Sequence, residues 1–333
     1  MKKFTFIDLF SGIGGFHIAA KNNGGNCLMA CEIDPAAQEA YTANFQLEPR
    51  GDISKIAATD VPDHDMLCAG FPCQPFSIIG NRLGFDDMRG TLFFEIVRIL
   101  QEKKPKMIVL ENVKQLSTHN GKRTIARIIE SLNQLGYKTY WKVLNALDYG
   151  LPQKRERIII VGFIDHNVDF SWPVKIKMFK PLSDILETDI EKKYFASETI
   201  KQKRAKTHES KYQPAIWHEN KSGNVSSYPF SCALRAGASY NYLLVDGKRR
   251  LTPREMLRLQ GFPDFFRIVC SDSQTRKQAG NAVPAPMVEA VIREVISAAS
   301  KIERWEKQNR DRVLSFGGVP KQNNLRDKQV ACL

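Results

Sequence analysis

Cys73 is the residue of this 333-residue chain whose neighbours most favour covalent chemistry. It lies between Pro72 and Pro75, and because proline fixes the backbone and cannot continue a helix, the loop around Cys73 is expected to be rigid. A thiol with an ordinary pKa of about 8.5 becomes a strong nucleophile near neutral pH only beside a positive charge or a dipole. The sequence does not show that neighbourhood directly, so Cys73 is a candidate nucleophile with a buried small apolar side chain as the alternative, whereas the other six of the seven cysteines are predicted to be reduced thiols packed as small apolar side chains.

Charged side chains that can assist a nucleophile adjoin two apolar runs. Glu111 directly follows the run 107–110. Such a carboxyl group either caps a helix or is solvated at a strand end, or it is held protonated and donates a proton to a ring nitrogen. Gln153, Arg155 and Arg157 precede the run 158–161, and strand alternation places these three on one face. Two adjacent guanidinium groups clamp a phosphate or a carbonyl oxygen, and a solvated strand end is the alternative.

A glycine-rich turn at residues 10–17 follows the first apolar run, and Glu32 stands about 20 residues further on. Glycines let a ligand approach the backbone closely, and a helix N-terminus offers free amide donors. The turn and the acid together indicate a nucleoside cofactor, either a nicotinamide dinucleotide or S-adenosyl-methionine. The third spaced glycine of a dinucleotide site is missing, so a tight turn without a ligand is the alternative.

The elements that must position these residues are short apolar runs that alternate with helical patterns, which indicates βαβ units on a largely parallel sheet. The predicted strands are 4–9, 27–31, 66–70, 107–110, 137–145 and 157–163. The predicted helices include 92–100, 124–135, 253–259 and 286–299. Because ligands bind at the carboxyl ends of the strands in such sheets, Asp8, Glu32, Cys73 and Glu111 are expected at one edge.

Positive charge is concentrated in one segment. The chain has 49 Lys+Arg and 36 Asp+Glu, a formal net charge of +13, which favours a polyanionic partner such as nucleic acid, with an anionic membrane surface as the alternative. Residues 174–250 carry 15 Lys+Arg and 8 Asp+Glu, a net +7, and show weak periodicity. This segment is therefore expected to form a basic surface of its own.

Several classes of protein are disfavoured by the composition. With 43% hydrophobic and 26% charged residues the chain is not mostly disordered. No window approaches the roughly 18 apolar residues of a membrane span, and the N-terminus lacks the features of a signal peptide. Without a Cys-x-x-Cys pair, neither a disulfide framework nor a structural zinc site is indicated. We expect a cytoplasmic protein without a metal and without membrane contact.

The order of these segments, from residue 4 to about 293, resembles the DNA cytosine-5 methyltransferase family, in the form found in bacterial and phage restriction-modification systems. The matching motifs are DLFSGIGG at 8–15, GDI at 51–53, GFPCQ at 70–74, RGTLF at 89–93, ENV at 111–113, QKRER at 153–157, RLTPRE at 250–255, QGFP at 260–263 and GNAVP at 280–284.

This resemblance implies an α/β fold, a Rossmann-like S-adenosyl-methionine-dependent methyltransferase sheet with a second, smaller target-recognition domain. It implies that Cys73 attacks carbon 6 of a cytosine flipped out of the duplex while Glu111 protonates ring nitrogen 3. Carbon 5 then takes the methyl group of S-adenosyl-L-methionine. Arg157 is expected to hold the cytosine carbonyl oxygen, Arg155 to support the site, and Gln74 to enter the gap left by the base.

The resemblance also implies binding residues and partners. Those implied for the cofactor are Phe10, Gly12, Gly14, Glu32, Ile33, Asp52, Ile53, Pro72, Leu92, Asn281 and Val283. Those implied for DNA are Ser77, Arg89 and Arg235. The partner is double-stranded DNA, the enzyme is expected to be a monomer, and a restriction endonuclease is expected to act alongside it.

By the same resemblance, residues 1–173 and 276–304 form the catalytic and cofactor-binding domain. Residues 174–275 form the target-recognition domain and hinge, and 305–333 form a polar, loose tail. One departure is Ala233–Leu234, where many family members carry Thr-Leu; it concerns the phosphate contacts of this segment and leaves catalysis untouched. Two alternatives are an RNA cytosine-5 methyltransferase with the same motifs and a catalytically silent DNA-binding regulator on this fold.

Overall fold

The fold is built on one central β-sheet, seen in a computed structural model that describes residues 3–72 and 92–315, and side chains as far as residue 301. The strands, in chain order, are β1 (Phe4–Leu9), β2 (Gly25–Cys31), β3 (Met66–Gly70), β4 (Met107–Val113), β5 (Lys138–Asn145), β6 (Gln153–Lys154), β7 (Glu156–Phe163), β8 (Ile216–Glu219), β9 (Val225–Tyr228), β10 (Ser231–Cys232) and β11 (Leu243–Val245). The α-helices are α1 (Gly15–Asn22), α2 (Pro35–Phe45), α3 (Leu92–Lys103), α4 (Arg123–Gln134), α5 (Glu198–Thr207), α6 (Pro253–Leu259), α7 (Asp272–Asn281) and α8 (Ala285–Ser315).

The central sheet has the strand order β2-β1-β3-β4-β7-β5. Strands β1 to β4 run parallel, whereas β7 is antiparallel to both β4 and β5. All six strands predicted from the sequence are present, which confirms the α/β class. The sheet is less parallel than predicted, because no crossover helix separates β5 from β7 and the chain therefore returns beside itself.

Helices cover both faces of this sheet. On one face, Ile7 and Leu9 of β1 pack in a cluster with α3 and α4. On the other face, Phe4 and Phe6 of the same strand pack with α1 and α8. This alternation follows from strand geometry, in which successive side chains point to opposite faces. The carboxyl ends of the parallel strands are thereby fixed between two packed layers.

Strands β8, β9 and β11 form a second, smaller sheet, which is antiparallel with the order β11-β8-β9, whereas β10 pairs in parallel with β6. A third apolar cluster combines Leu234, Leu243 and Leu257 with Ile13 of the glycine-rich turn and Ala37 of α2. The basic segment therefore packs directly against the N-terminal part of the chain.

The C-terminal region differs from the prediction. Helix α8 begins within one residue of the predicted start but continues to Ser315, so the tail expected to be loose from residue 305 is helical in its first part. Residues 302–315 contain neither glycine nor proline and are rich in Glu, Lys, Gln and Arg, which favour helix. Within residues 3–72 and 92–315, no helix is long and apolar enough to cross a membrane.

Candidate active site

A cavity of about 610 Å³ opens at the carboxyl ends of β1 to β4. Small-molecule sites usually measure roughly 300–1,000 Å³. Glu111, Arg155 and Arg157 line it, together with Arg235 from the basic segment. Its wall also includes the predicted cofactor residues Phe10, Gly12, Glu32, Ile33, Asp52, Ile53, Pro72, Leu92 and Asn281. One cavity therefore unites residues predicted for three different roles.

The Glu32 carboxylate lies at the β1–β2 end of the cavity and is held by backbone amides. Its Oε2 accepts a hydrogen bond from the Gly12 amide at 2.8 Å. Its Oε1 accepts from the amides of Ile33 and Asp34 at 2.8 and 2.9 Å. Three amides thus fix the carboxylate, and Gly12 allows the tight turn because its φ of +54° lies in the left-handed region. Ile33, 69% exposed, offers an apolar surface beside it.

Three other residues predicted at this edge lie behind the cavity wall. Gly14 has a φ of +87°, and a Cβ there would overlap the ring of Phe45. Val283 is buried, and its side chain lies 3.3 Å from the position that a Cβ on Gly70 would occupy. Asp8 is fully buried and neither carboxyl oxygen accepts a hydrogen bond of standard geometry. Burial, with Glu32 nearby, raises the pKa of Asp8 well above its usual value.

Glu111 and Arg157 form an ion pair at the other end of the cavity. Strand β4 extends to Val113, so Glu111 lies within the strand, opposite Ile159 of β7, and not past its end as predicted. The Nε of Arg157 lies 2.7 Å from the Oε1 of Glu111, and the two side chains are only 14% and 10% exposed. Burial raises the pKa of Glu111, and the positive charges of Arg157 and Arg155 offset part of this rise. A carboxyl group with a raised pKa is suited to acid catalysis near neutral pH.

Asn112 is a functional candidate that sequence reasoning passed over. It is buried, lines the cavity and donates a hydrogen bond from Nδ2 to the backbone oxygen of Phe71 at 2.8 Å. This contact ties the end of β4 to the backbone two residues before Cys73. The sequence signal was its place beside Glu111 in the motif at 111–113.

Arg155 has a supporting role in this geometry. Its guanidinium is buried and donates hydrogen bonds to the backbone oxygens of Leu234, Gly280 and Ala282 at 2.8 to 2.9 Å. Burial lowers the pKa of Arg155 to about 9, and the three carbonyl acceptors stabilise its charged form at neutral pH. The predicted pair of ligand-clamping guanidiniums is therefore divided: Arg157 faces Glu111, and Arg155 holds the surrounding backbone.

Four predicted site residues, Cys73, Gln74, Ser77 and Arg89, lie outside the described residues. The chain is described again from Leu92, which lines the cavity. Among residues the structure describes, no group of three or more His, Cys, Asp and Glu side chains is arranged to hold a metal ion.

Comparisons of the sequence and of the fold relate this chain to known proteins. Residues 4–297 match the profile of the C-5 cytosine-specific DNA methylase family. The chain is 57% identical to the Type II methyltransferase M.NgoBI of Neisseria gonorrhoeae, covering 86% of this chain and 91% of that protein. It is 53% identical to M.HaeII of Haemophilus aegyptius, covering 91% and 96%. A crystal structure of a Spodoptera frugiperda DNMT2 mutant shares the fold, with a TM-score of 0.70 at 20% identity over 88% of this chain and 99% of that one.

Proposed function

Because the chain belongs to the C-5 cytosine-specific DNA methylase family and methylates carbon 5 of cytosine in DNA, we propose that Cys73 is its nucleophile and Glu111 its general acid. The observation that carries the proposal is the buried Glu111–Arg157 ion pair, which lines the same cavity as the amide-bound Glu32 carboxylate. Asn112 supports it further, because its bond to Phe71 fixes the backbone that leads to Cys73.

In the proposed reaction, the thiolate of Cys73 forms a bond to carbon 6 of the cytosine. The carbon 5–carbon 6 double bond shifts to carbon 4–carbon 5, and the electron pair of the carbon 4–nitrogen 3 double bond takes the proton of Glu111. Carbon 5 is then nucleophilic and takes the methyl group, whose carrier leaves as S-adenosyl-L-homocysteine. Solvent water removes the proton on carbon 5, the Cys73 thiolate leaves carbon 6, and nitrogen 3 returns its proton to Glu111, which restores the aromatic ring. Arg157, already beside Glu111, holds the carbonyl oxygen on which negative charge develops.

The residues at the β1–β2 end fit S-adenosyl-L-methionine. The Glu32 carboxylate, oriented by three amides, suits the ribose hydroxyls, and Ile33 offers an apolar face for the adenine ring. Asp52 and Asn281 are further polar groups on the wall. When bound, S-adenosyl-L-methionine supplies the methyl group. The proposed chemistry uses no metal.

Double-stranded DNA is the proposed substrate form. A cytosine inside a duplex is inaccessible, so the base must be flipped out to enter the cavity. Residues 174–275 are proposed as the target-recognition domain and hinge, since their basic segment borders the cavity through Arg235. Residues 1–173 and 276–304 are proposed as the catalytic domain. Positive side chains in the basic segment would bind the phosphate backbone of DNA, which adds affinity without recognising the base sequence. We also propose that the enzyme is cytoplasmic and that it acts as a monomer.

The Type II relatives support a role beside a restriction endonuclease. A methyltransferase of this kind protects its own host DNA. DNA from a host that expresses the protein is therefore expected to resist cleavage by the cognate endonuclease. Cleavage of that DNA by every endonuclease tested would contradict this part of the proposal.

The proposed function is tested with S-adenosyl-L-methionine carrying a labelled methyl group. We expect label in duplex DNA and none in total tRNA, and labelling of tRNA alone would favour the RNA methyltransferase alternative. The Cys73→Ala variant should lose methylation while still binding DNA, and normal turnover by this variant would end the assignment of the nucleophile. A wild type that binds DNA without labelling it would indicate the silent regulator. Bisulfite sequencing of DNA from an expressing host maps the target site.

A further inference from the structure

Three buried polar side chains, Gln153, Arg155 and Gln260, meet between the sheet and the basic segment. Their exposed fractions are 0%, 1% and 0%. The Nε2 of Gln153 lies 3.3 Å from the Oε1 of Gln260 and 2.8 Å from the backbone oxygen of Leu259. We call these three side chains the buried hub. Polar groups this deeply buried carry a large penalty when unpaired, so their hydrogen bonds restrict the hub to few arrangements.

The hub holds one residue of the basic segment by both of its backbone polar groups. The side-chain oxygen of Gln153 accepts a hydrogen bond from the Leu234 amide at 3.0 Å. The guanidinium of Arg155 donates to the Leu234 carbonyl at 2.8 Å. Strand β10, which ends two residues earlier, pairs with Gln153 and Lys154 through its backbone. Leu234 and its neighbour Arg235 line the cavity, so the hub fixes this part of the proposed DNA-contacting wall.

The same hub holds the opposite wall at the end of α7. Arg155 donates to the backbone oxygens of Gly280 and Ala282, both at 2.9 Å. Gln260 donates through Nε2 to the backbone oxygen of Ala279. These three carbonyls flank Asn281, which lines the cavity and is a proposed cofactor residue. The hub therefore bonds to both the proposed DNA wall and the proposed cofactor wall.

We infer that Gln153 and Gln260 are positioning residues that, with Arg155, couple DNA binding to cofactor binding through the buried hub. This inference rests on the proposed function. When DNA binding shifts Leu234, one of two things follows. Either the bonds of Leu234 to Gln153 and Arg155 break, or the buried hub moves with Leu234 and displaces the backbone around Asn281. Two ligands that bias one shared element change each other's affinity by the same factor, whichever binds first. The affinity of the methylase for its cofactor therefore differs between the free chain and the chain with its target site in place.

The test measures this factor directly by calorimetry. The dissociation constant of S-adenosyl-homocysteine, which cannot donate a methyl group, is measured for the full chain alone and with a saturating duplex that carries the mapped target site. The ratio of the two constants is the coupling factor. For the wild type we expect a factor of about 5 to 150, the usual range for coupled sites. A wild-type factor of one would overturn the inference.

The informative variant is Gln153→Met, which keeps the length of the side chain but removes its bonds to Leu234, Leu259 and Gln260. The matched control is Asn23→Leu. Asn23 is another buried amide, 2% exposed, and it donates to the backbone oxygens of Ala19 and Glu289 at 2.9 and 3.1 Å, between α1 and α8. Gln153→Met loses three side-chain hydrogen bonds and Asn23→Leu loses two, so a general loss of stability affects both variants. Only Gln153→Met breaks a hub contact.

We expect Gln153→Met to lower the coupling factor about fivefold or more, while Asn23→Leu keeps the wild-type value. Should Gln153→Met fail to fold, Gln260→Met carries the test from the α7 side, because it removes the bonds to Ala279 and Gln153 but leaves those of Gln153 and Arg155 to Leu234. An unchanged factor in the folded hub variant, or an equal loss in Asn23→Leu, would overturn the inference. Methylation of the mapped site by the wild type is read separately, so failure of the coupling is distinguished from failure of the proposed function.

Discussion

Replacing Arg157 with methionine removes the cation that the buried Glu111 carboxyl faces at 2.7 Å. Removing one partner of a buried ion pair costs about 3–5 kcal/mol. With about 2–4 °C in Tm for each kcal/mol in a domain of some 200 residues, a loss of roughly 6–20 °C is expected at alkaline pH. Activity should fall as well, because the variant loses the group that we propose holds the cytosine carbonyl oxygen.

The loss of stability should depend on pH with a definite sign. The pKa of Glu111 is higher in the folded than in the unfolded protein, so the folded protein binds more protons between these two pKa values. The free energy of unfolding therefore falls as pH rises from the ordinary carboxyl pKa to the folded pKa of Glu111. Without Arg157 that pKa rises further, since the first of the two charges that lower it is gone. Below the wild-type pKa of Glu111 the carboxyl is neutral in both the wild type and Arg157→Met, so the difference in stability between the two proteins is smallest there. The difference grows as pH rises through that pKa.

Thermal melts of both proteins from pH 5 to 8.5 measure this difference. The matched control is Lys114→Met, which breaks the neighbouring Lys114–Glu156 pair, where the side chains are 50% and 35% exposed. Exposed pairs contribute only about 0–1 kcal/mol, so this variant should melt close to the wild type at every pH. A difference between Arg157→Met and the wild type that stays constant across the range would refute the argument from the buried Glu111 charge.

Three further expectations concern the walls of the cavity and the groups behind them. Asp8→Asn should flatten the fall in Tm between pH 5 and 8, because the raised pKa of Asp8 means that stability declines as pH rises toward it; an equally steep fall would contradict this. Gly280→Ala should lose about 1–3 kcal/mol in denaturant unfolding, because the new Cβ would overlap the backbone nitrogen of Ala236, whereas Gly237→Ala meets nothing within 4 Å; equal stabilities would disprove the close contact. Glu32→Gln should weaken calorimetric binding of S-adenosyl-homocysteine about 10–100-fold, whereas Glu39→Gln on the exposed side of α2 should not; unchanged affinity in Glu32→Gln would remove it from the cofactor site.

Local sequence patterns predicted the positions of the central strands because apolar runs between polar breaks mark buried strands. They missed the end of β4: the Glu-Asn-Val motif is not an apolar run, yet pairing with β7 extends the strand to Val113. The family resemblance, and not a local pattern, placed Gly14 and Val283 at the cofactor, and their part in binding it stays a prediction. These residues shape the wall from behind, through contacts at Phe45 and Gly70 that spacing does not encode.

The role of Arg155 depends on contacts that are remote in sequence. Its acceptors Leu234, Gly280 and Ala282 lie 79, 125 and 127 residues away along the chain. Strand alternation put Arg155 on the same face as Gln153, in agreement with the burial of both side chains, but nothing in the motif at 153–157 specifies which carbonyls Arg155 contacts. Long-range packing sets those partners, and the same is true of the buried hub.

Trapping of the covalent intermediate tests the central claim most directly. Fluorine at carbon 5 of the target cytosine cannot leave as a cation, so the sulfur stays attached to carbon 6 after methyl transfer. A duplex bearing 5-fluorocytosine at the mapped site, incubated with the enzyme and S-adenosyl-L-methionine and analysed by mass spectrometry, should give one adduct on the peptide that contains Cys73. An adduct on another residue, or methyl transfer to normal DNA with no adduct from the fluorinated duplex, would contradict the account.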